Sequence, residues 1–516
     1  WADEVARIDR MSKITKQDVV EWANKYLGPE SYAIIYKREG KDPDEQKIAA
    51  PKITPIVTNR DSQSEFLSEI QTSQVQPIEP VFVDYKKDMS QFEAQPGIDV
   101  LYKKNETNDI FTLIYVFNTG TENDPALNLA FNYLSYLGTD KMTAEEIASE
   151  MYDIACSFYM NAGANQSSIQ ITGLSENMGK AMEIVEGLIA GAKPDEAILA
   201  NLKADMIKSR ADAKLNQSRC FGALQTYLFY GPDFIRRTTL TNPELEAITS
   251  EALLAKVHDL LGKRHKALYY GPQSETEVKE ALAAHHKTPA ELQPLEKKHL
   301  QLLPTDESKV LMAQYDAKQL YYLQYANLGK QFDVTADPEI TLYNEYFGGG
   351  MNSVVFQEMR EARGLAYSAS AYIMQPHYGD MKYGYMAFIA TQNDKMQTAI
   401  EAFDEIINQM PESEAAFKIA KEGLISRLRT DRTVKEQVLW SFIKLRNMGL
   451  GEDRDKQIFE KVQAMTLADV KAAQEKWVKN RKYVYGILGD IQDLDLNYLK
   501  TLGPIRTVSQ EELFGY

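Results

Sequence analysis

The side chains and glycines best placed to do chemistry lie between residues 347 and 372, which read Phe347-Gly-Gly-Gly-Met-Asn-Ser-Val-Val-Phe-Gln-Glu-Met-Arg360-Glu-Ala-Arg363-Gly-Leu-Ala-Tyr367-Ser-Ala-Ser-Ala-Tyr372. Gly348, Gly349 and Gly350 can take backbone angles closed to other residues. They leave amide N–H groups uncovered, so a partner's backbone can approach closely. Arg360 and Tyr367, seven residues apart, both carry hydrogen-bond donors.

Local elements must hold these groups. A helix is expected just after the glycines, capped by Asn352 or Ser353, with Val355, Phe356 and Met359 on one face and Gly364 ending it in a left-handed cap. Arg360 and Arg363 then fall near its C-terminus, where positive charge suits the helix dipole. Leu365 to Ile373, rich in aromatic and small residues, suits a strand. On these grounds alone, the arginine completes a dipole and the tyrosine packs at a strand start.

The run resembles the glycine-rich loop and following helix in the C-terminal half of insulinase/pitrilysin-type zinc metallopeptidases. There a Gly-Gly-Gly-Met-x-Ser stretch leads to Arg and then to Gly-Leu-Ala-Tyr. In that family the Arg and Tyr point into the cavity between the two halves and contact substrate near the scissile bond. The resemblance implies those roles for Arg360 and Tyr367, and close approach of the peptide or a partner loop at Gly348, Gly349 and Gly350.

The family's zinc motif, His-x-x-Glu-His, has a physical logic: two histidines four apart share a helix face, and the glutamate between them can take a proton from metal-bound water. The six histidines here are His258, His265, His285, His286, His299 and His377, and none form that pattern. Where the motif would fall, the first full copy described below has Phe131, Leu134 and Ser135 as ligand equivalents, and the second has Leu342-Tyr-Asn-Glu-Tyr-Phe. No catalytic residue and no metal ligand is therefore assigned to this chain. The adjacent His285 and His286 would point in different directions on a helix and read as solvated surface near a connector. His377 reads as a loop tip.

Other motif classes are missing. The glycines lack the spacing of a dinucleotide or phosphate loop, and there is no G-x-S-x-G elbow. Cys156 and Cys220 are too few for a disulfide framework and read as small apolar side chains. Asn105, Asn165 and Asn216 begin glycosylation-type tripeptides, which matter only in a eukaryotic secreted protein.

The 516 residues suffice for two to four domains, and 44% hydrophobic with 26% charged content is that of an ordinary globular protein. A net charge of −16 argues against nucleic acid or an anionic membrane surface as partner. No apolar stretch is long enough to span a bilayer, and the start, Trp-Ala-Asp-Glu, has the look of a processed or cut chain.

The sequence also repeats itself. A helix from Thr15 to Leu27 leads to a strand at Tyr32 to Tyr36. The same ending recurs from Ile248 to the strand Ala267 to Tyr270, and from Met465 to the strand beginning at Tyr483. Likewise Ile169-Gln-Ile-Thr-Gly-Leu and its following helix match Met386-Ala-Phe-Ile-Ala-Thr and its helix, a period a little under 220 residues. Strands are expected at 81–83, 98–102 and 111–117 in one copy, and at 309–313 and 319–328 in the next.

The expected plan is α+β, a tandem repeat of two similar domains, each a mixed, mainly antiparallel sheet with helices packed on one face, as in metallopeptidase-like hydrolases. Residues 1–40 read as the tail of a preceding domain, 41–77 as a linker, 78–272 as one inactive peptidase-like domain, 273–304 as a second linker, and 305–516 as another such domain. The resemblance implies the non-catalytic C-terminal half of a zinc metalloendopeptidase. Its partners would be a peptide and an N-terminal zinc-bearing half, the cofactor lying in that half. The alternative is an inactive partner or scaffold subunit of a processing-peptidase-like complex. Many bacterial relatives are exported, which points to the periplasm or cell envelope.

Overall fold

The computed structural model describes residues 2–28, 30, 32–36, 64–74, 76–295 and 300–516. Most of the expected first linker, and residues 296–299 of the second, lie outside the described residues. The chain divides into two compact units, Trp1–Gln76 and Pro77–Tyr516.

In the first unit Lys16–Tyr26 is a helix begun by a capping box. The Thr15 hydroxyl accepts from the Asp18 N–H at 3.2 Å, and Asp18 accepts from the Thr15 N–H at 2.8 Å. Its apolar residues Val19, Val20, Trp22 and Tyr26 are exposed. The strand expected at Tyr32 to Tyr36 is not formed: residues 32–36 belong to no strand among the described residues.

The second unit contains two six-stranded sheets. The first is made of β1 (Ser90–Gln95), β2 (Ile98–Lys104), β3 (Ile110–Phe117), β4 (Cys156–Ala162), β5 (Ser167–Leu174) and β6 (His265–Gly271), in the order β1-β2-β6-β3-β5-β4. The second is made of β7 (Lys309–Gln314), β8 (Gln319–Gln331), β9 (Ala366–Met374), β10 (Lys382–Gln392), β11 (Val484–Gly489) and β12 (Ile505–Thr507), in the order β12-β7-β11-β8-β10-β9. Leaving out β1 and β12, the two orders are the same. In each, the closing strand slides between the first two, parallel to one and antiparallel to the other. The architecture is α+β with mixed, mainly antiparallel sheets, as the sequence predicts.

The expected strand at 81–83 is not one. The Val83 N–H is taken by the Asp453 carboxylate at 2.8 Å, and Phe82 packs on Phe459, so the segment follows the second repeat's helices instead of a sheet. The first strand is β1, whose polar sequence gave no strand signal.

Side-chain alternation explains which face each strand presents. In β5, Ile169 and Ile171 point into a core while Ser168, Gln170 and Thr172 face the other way. The unbroken apolar run of β3 has a different cause, because both of its faces are covered. Phe111, Leu113, Tyr115 and Phe117 join the first repeat's own helices. Ile114 and Val116 instead meet Val438, Leu439 and Ile443 of the Gln437–Asn447 helix, which belongs to the second repeat.

The arrangement is reciprocal. The Gln217–Thr238 segment of the first repeat, two helices kinked at Gly231, lays Leu224, Tyr227 and Leu228 on Leu311, Leu323, Tyr325 and Val484 of the second sheet. Each sheet thus carries its own helices on one face and receives a helix from the other repeat on the opposite face. A fully buried leucine in such a contact contributes about 2 kcal/mol.

Candidate functional site

Arg360 and Tyr367 are brought together by three consecutive elements. The Asp337–Phe347 helix runs into the glycines; a helix carrying Arg360 follows; then the chain turns at Gly364 into β9, the edge strand of the second sheet.

The middle helix differs from expectation. Ser353 does begin it, its hydroxyl accepting from the Phe356 N–H at 3.4 Å and its carbonyl from the Gln357 N–H at 3.0 Å. Gly364, at φ +56°, ends it in the left-handed region as predicted. Between them, however, Phe356–Ala362 is a π-helix, not an α-helix. Its wider i→i+5 turn is an uncommon element that recurs at functional sites. The extra width also shows at the end, where the Leu365 N–H reaches back six residues to the Met359 carbonyl at 2.9 Å.

In this setting the Arg360 guanidinium lies on two rings. Its Cζ is 4.8 Å from the Phe356 centroid and 4.3 Å from the Tyr367 centroid. Nη1 donates to the Tyr367 carbonyl oxygen at 3.4 Å, and Nε lies 3.3 Å from Glu361. Nη2 has no partner among the described residues, and Tyr367 is 77% exposed. The pair therefore presents a guanidinium edge and a phenol hydroxyl to the surroundings. Arg363 is different: it is committed to Glu405 and Glu358, and Glu405 holds its guanidinium above the ordinary value.

The three glycines are not equivalent. A side chain at Gly348 would run into the Ala371 backbone in β9, and one at Gly349 into the Asn344 carbonyl. Only Gly350 faces open space, next to the 73% exposed Met351. Gly348 and Gly349 thus have an internal reason to be glycine, and Gly350 leaves room for something else.

Asn344 was not singled out by the sequence. Its side-chain amide accepts from the Ile373 N–H at 2.8 Å and donates to the Ile373 carbonyl at 3.0 Å. It imitates a neighbouring strand and pins the free edge of β9 to the helix before the glycines. Its one signal is its place, a helical turn ahead of Gly348.

The residues at the place expected for the zinc motif make ordinary contacts within the first repeat. Phe131 and Leu134 sit in the first core on the Leu127–Leu134 helix, and the Ser135 hydroxyl donates to the Asn132 carbonyl at 2.7 Å. Among the described residues no three His, Cys, Asp or Glu side chains converge on a point where a metal could bind. His286 overturns its reading as solvated surface: it is 1% exposed, enclosed by Glu186, His265 and Tyr115. Asn105 is also buried, its amide donating to the Asn108 side chain and the Ile110 carbonyl. No helix among the described residues is long and apolar enough to cross a membrane.

Residues 260–424, which include the whole 347–372 run, match the Peptidase M16 inactive domain. That stretch of the chain is similar to the M16 peptidases. A relative from Rickettsia felis, described as an uncharacterized zinc protease, is 24% identical over 308 residues, covering 57% of this chain and 69% of its own. The crystal structure of an M16 inactive domain from Pseudomonas fluorescens superposes with a TM-score of 0.63 at 17% identity, over 78% of this chain and 98% of that one. The periplasmic protease PqqL from Escherichia coli superposes with a TM-score of 0.60 at 13% identity, over 94% of this chain and 52% of that one. The chain therefore spans about half the length of PqqL, and its residues 260–424 are of the inactive-domain type.

Proposed function

We propose that this chain is the non-catalytic C-terminal half of a zinc metalloendopeptidase, closing over a zinc-bearing N-terminal half and holding the backbone of a peptide. The observation that carries this reading is the Arg360–Tyr367 pair, stacked at 4.3 Å at the start of the edge strand β9, with the open Gly350 in the loop that precedes their helix. Donors fixed in advance cost no reorganisation when a peptide carbonyl gains negative charge, and that is where such a pair stabilises most. Contact with the Phe356 ring holds the guanidinium, and the internal packing of Gly348 and Gly349 holds the loop that precedes its helix. Zinc and the residues that activate water would come from the other half.

The first unit supports a partner of this kind. Its Lys16–Tyr26 helix resembles in sequence the helix that precedes the closing strand in both repeats, and there the corresponding helix is buried, through Leu253 and Val257 in one and Leu467 and Val470 in the other. Residues 1–40 would then belong with a domain of the zinc-bearing half.

The experiment is peptide cleavage by the zinc-bearing half, with and without this chain, using wild type and the Arg360→Ala, Tyr367→Ala double variant. Wild type should restore cleavage and the double variant restore far less, while the chain alone cleaves nothing. Restoration that ignores the double substitution would point to the scaffold role instead.

A further inference from the structure

The first repeat contains a buried row of titratable groups that peptide holding does not use. His286 caps the Glu275–His285 helix and opens the connector to the second repeat. Its Nδ1 lies 2.6 Å from Oε1 of Glu186, on the Met178–Gly191 helix, and its Nε2 lies 2.8 Å from Nε2 of His265, the first residue of β6. His265 Nδ1 lies 2.8 Å from the Lys263 carbonyl oxygen. The His286 ring stacks on Tyr115 of β3 with centroids 4.0 Å apart.

Proton positions follow from the partners. A carbonyl only accepts, so His265 Nδ1 carries a proton, and in the neutral ring Nε2 is left as an acceptor. His286 Nε2 must then donate to it, and the contact of its Nδ1 with Glu186 holds a proton of its own, on the ring or on the carboxyl. Two nitrogens 2.8 Å apart share one proton; a second, on His265, would set two N–H groups head to head. Burial and the neighbouring His286 accordingly hold the His265 pKa down, to about 4.

The row sits where the connector is tied down. The Arg264 N–H donates to the Gln293 carbonyl at 2.8 Å, the Gln293 N–H to the Gly262 carbonyl at 2.9 Å, and the Gln95 amide to the His286 carbonyl at 3.3 Å. Beyond it opens a cavity of about 740 Å³, walled by His265 and Leu292 on one side and by Phe442, Ile443 and Arg446 of the second repeat's helix on the other. The charged groups around this cavity do not relieve a charged His265. Lys266 pairs with Asp99 at 3.1 Å, Glu93 accepts from the Gly97 N–H at 2.9 Å, Arg264 and Arg446 are cations, and Glu291 is exposed. Tyr115 and Phe117 close the remaining sides with rings.

We propose that Glu186, His286 and His265 form an acid-released clasp that fastens the connector to the start of β6 and so steadies the cavity wall on which the second repeat's helix is seated. Both ring nitrogens of His265 are engaged, so it is offered as a fastener and not as a base for chemistry.

Hydrogen exchange on the full chain, corrected for intrinsic rates, tests this. Between pH 7 and the acid side of the His265 transition, protection around residues 263–267 and 290–295 should fall about tenfold or more, as in a local opening, while β8 stays protected. In His265→Gln, whose side-chain oxygen still accepts from His286 but cannot take up a charge, that loss should disappear. Equal loss in both proteins, or none in wild type, overturns the clasp. Should the variant fail to fold, NMR of wild type labelled in histidine decides: one buried imidazole must remain neutral down to about pH 4. Titration of every histidine at the ordinary value would rule the clasp out.

Discussion

Gly348 lies against Ala371 so closely that a Cβ on the glycine would come 1.7 Å from the Ala371 carbonyl oxygen. The obstacle is backbone, which cannot swing aside as a long side chain would. Gly348→Ala should therefore cost about 2 kcal/mol or more by overpacking. Gly350→Ala, with nothing within 4 Å of the new methyl, should leave urea unfolding nearly unchanged. Equal effects at the two positions would mean that the loop moves as a whole.

Arg360→Lys keeps the charge and loses the planar fork that lies on Phe356 and Tyr367. If the pair holds a peptide carbonyl, the reconstituted two-half enzyme should lose on the order of 10² in kcat with this change, the scale for removing one such donor. Arg363→Lys, at a residue already committed to Glu405 and Glu358, should change kcat little. Steady-state kinetics on one peptide separates them.

Arg454 is the counter-charge to Asp337, whose side chain is fully buried, and it also donates to the Gln375 side chain at 2.5 Å. Even so, burial holds the Asp337 pKa above its ordinary value. Arg454→Met would strand that carboxylate at a cost of about 3–5 kcal/mol. The sign with pH is fixed too. A carboxyl with a raised folded pKa binds its proton more tightly when folded, so the variant should recover stability relative to wild type as pH falls. Urea midpoints at neutral and mildly acidic pH give the answer.

His265 has the opposite sign. Its folded pKa, about 4, lies below the ordinary 6.5, so between these values the unfolded chain binds a proton that the folded chain refuses. Stability from this group is present above pH 6.5 and is lost as pH falls toward 4, by on the order of 3 kcal/mol. The stability profile of His265→Gln should be flatter across that window.

Much of this was legible in the sequence because it is written locally. The Thr15 cap, the left-handed Gly364, the alternation in β5 and the helix-to-strand ending of the two full repeats depend on neighbours in the chain. The π-helix was not, since the same residues at nearly the same spacing suit either hydrogen-bond register. Nor was the burial of His286, because its partner Glu186 lies 100 residues away. The Asn344 contact with Ile373 was hidden for the same reason, and polar β1 is a strand only because β2 pairs with it.

The reciprocal helices have a further consequence. A gene divided within the connector would yield two polypeptides, each with an apolar sheet surface stripped of its cover and each carrying the other's missing piece. Such fragments would aggregate or find one another. The repeat is the unit of copying in this chain, but the smallest unit able to stand alone in water is the pair.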